Sequence, residues 1–173
     1  MKDILISLAE YNRGANANVV GIVRGLEKAV LTEDQGVYYK SILGTLEHIA
    51  SSEIGLAKRF NGFFPCPCSA KHPLVLNEMD AIKAGYHDKA EALYPVLTEI
   101  DALLVAYVQE SAEGNLAKRV SYVNYKGETV ERAFWNMIVH VLNHSTHHRG
   151  EISALLDRKG IKNDYSGFNL YTR

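Results

Sequence analysis

Four of the chain's seven histidines, His140, His144, His147 and His148, fall within nine positions of the stretch VHVLNHSTHHRG at 139–150. A neutral imidazole is both a metal ligand and a proton carrier near neutral pH, so what the cluster can do depends on which rings share a face. On a helix turning about 100° per residue, Phe134, Ile138, Val141, Ser145, Ile152 and Leu156 point in one direction, taken as core-facing. His148 lies about 40° from that direction and His144 about 80°, whereas His140 and His147 lie about 120° and 140° away. His144 and His148 therefore turn inward one helical turn apart, where two imidazoles can donate to one ion at roughly 2.0–2.1 Å. Glu151, three residues on, can accept from a ring nitrogen, shuttle protons or act as a ligand. Against this stands a solvated histidine flank or a neutral core histidine; the i, i+4 pair beside an apolar face makes the two readings about even.

Two histidines do not make a stable site, and a third ligand has to come from another element. The remaining histidines are His48, His72 and His87. His72 lies in a proline-containing loop and His87 among charged neighbours in KAGYHDKAE. His48 lies off the apolar stripe of Ile42, Leu46, Ile49 and Phe60, yet its own face carries Ser41, Gly44, Thr45, Ser52 and Gly55, small residues that admit a second helix. Periodicity permits His48 without selecting it.

Three- and four-residue apolar spacing predicts an all-α domain with four long helices: Asp3 to Ala29, Val37 to Phe60, Glu78 to Glu110 and Val130 to Lys159. In one domain of 173 residues this reads as an up-and-down four-helix bundle. Gly14, Gly21 and Gly25 mark close packing or a break in the first helix, and Pro95 should kink or split the third near Leu93. Thr129 and Glu131 suit the start of the fourth helix and Gly160 its end. Ahead of it, RVSYVNYKGETV alternates and then turns through Asn124 to Gly127, as a short hairpin or extended connector does. The aromatic tail IKNDYSGFNLYTR is expected to fold back over the helices.

A formal charge of −1 disfavours nucleic acid as a partner. No run approaches the roughly 18 to 20 apolar residues of a membrane span, and Asp3 and Glu10 interrupt the start too early for a signal-peptide core, which points to the cytoplasm. Cys66 and Cys68, the only cysteines, lie in FFPCPCSAKHP, too close to bridge easily. A Cys66/Cys68/His72 zinc site lacks a fourth ligand, and a loop with small half-buried thiols is the favoured reading.

Through YNRGAN at 11–16, SILGTLEHIASSE at 41–53 and VHVLNHSTHHRGEISALLDRKG at 139–160, the sequence resembles the DinB-like (DinB/YfiT-like) metal-binding four-helix-bundle family. NHSTHHRG is the specific element. The resemblance implies one divalent metal ion, zinc first and nickel, iron or manganese as alternatives, held by His48, His144 and His148. It also implies a homodimer. Departures are Gly14 where relatives often carry an aromatic residue, Glu53 where they carry Asp, and Glu151 where they carry Gln.

Three imidazoles leave a tetrahedral ion one open position, which can activate water or a thiol. The resemblance favours the thiol: a transferase that activates a low-molecular-weight thiol against a small-molecule electrophile, with Glu151 or His147 moving the proton. Arg149 would bind an anionic cosubstrate, or else form a surface salt bridge. The alternatives are a hydrolase using metal-bound hydroxide and a non-catalytic metal-binding stress-response module. A ferritin-like di-iron centre needs paired Glu-x-x-His motifs, and none occurs.

Overall fold

The computed structural model describes residues 1–124 and 126–171. Helices α1 (Lys2–Val23), α2 (Lys28–Thr32), α3 (Ile42–Phe63), α4 (Pro73–Leu76), α5 (Met79–Tyr86), α6 (Ala90–Glu110) and α7 (Glu113–Leu116) precede the strands β1 (Arg119–Val123) and β2 (Thr129–Ala133), and α8 (Phe134–Arg158) follows them. The fold is mostly helical with this one two-stranded antiparallel sheet among the described residues. No described helix is long and apolar enough to cross a membrane.

The long helices α1, α3, α6 and α8 carry the core. Helix α1 packs against α6 and α8, and so does α3, so the principal neighbours run α1, α6, α3, α8 around a ring. An up-and-down chain would instead place successive long helices side by side. The longer connections at 24–41 and 111–133 let the chain cross to the far side of the ring.

The boundaries differ from expectation where loop chemistry overrides periodicity. Helix α1 stops at Val23 rather than Ala29, and α3 starts at Ile42 rather than Val37. Residues 37–40 instead form a turn closed by a Val37–Lys40 bridge, with Lys40 at φ 67°, and Ser41 Oγ caps α3 by accepting from Gly44 N. The third long segment breaks at His87–Lys89, where Asp88 has φ 57°, and not at Pro95. Pro95 is the sixth residue of α6, where its missing N–H costs one hydrogen bond near a helix end. Thr129 and Glu131 belong to β2, so α8 begins at Phe134 without a side-chain cap. The hairpin forms as read, Tyr122 pairing with Val130 and Asn124 Oδ1 accepting from Lys126 N and Glu128 N across the turn.

Two apolar clusters fill the interior. One gathers Phe60, Tyr107 and Phe134 near the hairpin; the other gathers Val19, Val23, Leu46, Ile49, Leu97 and Ile152 at the opposite end. Between them all four long helices contribute buried polar residues at one level: Asn12 and Asn16, Glu53, Asp101, Ser145 and Arg149. The tail folds back as expected as far as Tyr171, its last two residues lying outside the described ones. Gly14 makes room for it, since a Cβ there would lie 2.2 Å from the Tyr171 ring, and the Tyr171 hydroxyl accepts from Asn18 Nδ2 at 2.8 Å.

Candidate metal centre

His48, on the second turn of α3, faces His144 and His148, one turn apart on α8, at the same level as the buried polar layer. The Nε2 atoms of His48 and His144 are 2.9 Å apart and those of His144 and His148 are 3.1 Å apart. Two nitrogens bonded to one tetrahedral ion at about 2.05 Å would stand about 3.3 Å apart, so small outward shifts of the rings fit an ion between them. The three histidines thus form a group that could hold a metal ion. Wheel position and burial agree along α8: His148 is buried, His144 half-buried, and His140 and His147 exposed.

The donor set is chemically ready. Burial, and next the neighbouring His148, push His48 down to about 4; burial, His148 and His48 do the same to His144. Both rings are therefore neutral at pH 7, with a lone pair free for a cation. His148 Nδ1 meets Glu151 Oε2 at 2.7 Å. A carboxylate can only accept, so Nδ1 carries the hydrogen, and in the neutral tautomer this selects, Nε2 is the nitrogen that can bind a metal. The other Glu151 oxygen lies 3.1 Å from Nε2 of the exposed His147, making a polar chain from His148 to solvent. Such carboxylate partners tune ligand basicity, so Glu151→Gln is expected to weaken metal affinity about 10- to 100-fold in a competition titration with a chromophoric chelator. A change within about twofold would contradict the role.

One functional neighbour escapes sequence reasoning. The Tyr39 ring stacks on His48 with centroids 3.9 Å apart, and its hydroxyl lies 2.9 Å from His48 Nε2. Gly44 makes this approach possible, because a Cβ there would lie 2.2 Å from the Tyr39 carbonyl oxygen. Burial raises the Tyr39 phenol, which stays protonated as a hydrogen-bond donor where the three nitrogens converge.

The other histidines are engaged elsewhere. His72 Nδ1 accepts from Leu74 N at the start of α4, and His87 with Asp88 N binds the Glu47 carboxylate at the α5–α6 break. Cys66, Cys68 and His72 do not come together as a metal group among the described residues. Burial pushes the Cys68 thiol up to about 12, with Glu110 adding to the shift, so the loop-thiol reading fits.

Arg149 requires a correction, because it is neither a surface ion pair nor a free anion receptor. It is 2 % exposed, its Nη1 donates to Asn12 Oδ1 at 2.6 Å and Asn16 Oδ1 at 2.8 Å, and its Nη2 donates to Thr146 Oγ1 at 2.8 Å. The Asn12 and Asn16 amides donate to both Glu53 Oε1 and Asp101 Oδ1, and Ser145 Oγ donates to Glu53 at 2.7 Å. Ser145 and Arg149 each follow a site histidine in sequence. The network therefore fixes the rotation of α8 and with it the aim of His144 and His148.

The DinB family model matches residues 1–170. Protein DinB of Bacillus subtilis (strain 168) is 25 % identical over 173 residues, covering 99 % of this chain and 95 % of the relative. No solved structure matches. With nearly its whole length matched and a histidine cluster that could bind a metal, the chain belongs to the DinB family.

Proposed function

We propose that the protein is a metal-dependent transferase in which His48, His144 and His148 hold one divalent ion, zinc in the first instance, for reaction of a small thiol with an electrophilic small molecule. The observation that carries this reading is the convergence of three imidazole Nε2 atoms, 2.9 and 3.1 Å apart, at the edge of a cleft bordered by His144. A divalent ion held there would supply the Lewis acidity that turns a thiol into a nucleophile at neutral pH. The residues do the rest. Glu151 orients His148 and passes the thiol proton toward His147, while the Tyr39 hydroxyl offers a hydrogen bond to the bound molecule. In the transfer a sulfur–carbon bond forms and the leaving group departs with its electron pair. The finer architecture we read as a four-helix bundle, the solution form as a homodimer on the family likeness, and the location as cytoplasmic.

The test is a conjugation screen of zinc-loaded protein with several small thiols against a reactive aryl halide. Turnover that requires both thiol and metal is the expected result. Turnover without thiol would favour hydrolysis by metal-bound hydroxide instead, and silence in both assays a binding module without turnover.

A further inference from the structure

The cleft at His144 is about 780 Å³ in volume and runs between α3, α8 and the hairpin. Alternation along the strands turns Tyr122, Val130 and Arg132 to one face of the hairpin, and that face closes the cleft. Leu56, Met137 and Val139 supply apolar wall. Among the described residues no aspartate or glutamate lines it, but two arginines do, Arg59 and Arg132.

Neither arginine has a carboxylate partner among the described residues. The Arg59 guanidinium lies over the Tyr122 ring at 4.8 Å, and Arg132 donates only to the Glu131 carbonyl beside it. Two other arginines have carboxylate partners, Arg13 with Glu10 and Arg119 with Glu131, whereas Arg24 lies over the Tyr94 ring. Two guanidinium groups without counterions in an acid-free cleft favour an anion, and their planar forks suit carboxylate or phosphate. Arg59 is eleven residues beyond His48 on α3, roughly 16 Å of helix rise, so Arg59 lies well away from the histidine cluster.

We infer that this cleft binds an elongated organic anion, a carboxylate or phosphate ester held by Arg59 and Arg132, with its apolar body over Leu56, Met137 and Val139 and its far end at His144. Only the assignment of that far end as the reacting end rests on the function proposed above; binding of the anion does not.

Calorimetric titration with octanoate, octyl phosphate and octanamide tests this on zinc-loaded protein, on chelator-treated protein and on the Arg59→Met/Arg132→Met double variant. Zinc content is measured in every sample. At least one anion is expected to bind about tenfold or more tightly than the amide in both metal states. In the double variant that preference should fall below about twofold with zinc content unchanged. Because both arginines are exposed, the variants should fold; the single Arg132→Glu variant, which repels an anion outright, should lower anion affinity more than about tenfold. Equal binding of anion and amide, no measurable binding of either anion, or a preference that survives the double substitution and so belongs to the ion would each overturn the inference. Failure of the protein to hold zinc, with the anion preference intact, would sink the metal reading and leave the cleft assignment standing.

Discussion

Replacing His144 with alanine is expected to abolish stoichiometric metal binding while leaving the fold intact. His144 Nε2 lies between the other two donors, at 2.9 Å from His48 and 3.1 Å from His148, so its loss leaves two ligands on different helices with no common bridge. Two imidazoles are too few for a stable zinc site, and affinity should fall by at least about a hundredfold. The ring is half-buried and its Nδ1 has no partner among the described residues, so truncation breaks no other side-chain hydrogen bond there and unfolding should shift only slightly. Metal content and thermal unfolding of the same preparation separate the two effects. A variant that keeps one equivalent of metal would contradict the assignment.

The second large effect lies one helical position away from the site. Arg149→Met keeps the approximate volume but removes the donors to Asn12 and Asn16 and, among the described residues, the one buried positive charge in the layer that holds Glu53 and Asp101. Breaking such a buried polar set by removing one partner costs about 3–5 kcal/mol, roughly 6–20 °C in Tm for a chain of this size. Burial raises both carboxyls, and Glu53 raises Asp101 further, so the folded pair holds protons to higher pH than the unfolded chain does. The sign follows from proton counts. Above the ordinary values of 4.5 and 3.8 the unfolded chain gives up protons that the folded pair keeps, so stability from the pair is greatest at acid pH and declines as pH rises through the raised folded values. Asp101→Asn mimics the protonated state: it should flatten this slope and restore part of the stability lost in Arg149→Met. An additive double variant would refute the coupling of Arg149 to this carboxyl pair.

The residues differ in how far sequence could reach them, for physical reasons. His144 and His148 share one helix, and an i, i+4 spacing measured against an apolar stripe suffices to aim them. His48 sits 96 residues from its partner His144, at a helix contact that periodicity permits and only the family likeness selects. Tyr39 is hidden because residues 37–40 continue an apolar pattern that helix propensity absorbs, while the turn depends on a positive φ at Lys40 and on the space at Gly44. Arg149 misleads in the other direction. An arginine between polar neighbours ordinarily faces water, and its burial depends on Asn12 and Asn16, which approach from 137 and 133 residues away. The same long-range pairing sets the ring order of the helices, which element boundaries alone do not encode.

Crystals grown with zinc and measured across the zinc absorption edge test the metal centre most directly. One anomalous peak per chain at bonding distance from Nε2 of His48, His144 and His148 is the expected result. A peak at His147 and Glu151, a peak at the Glu47, His87 and Asp88 group, or no peak would contradict it.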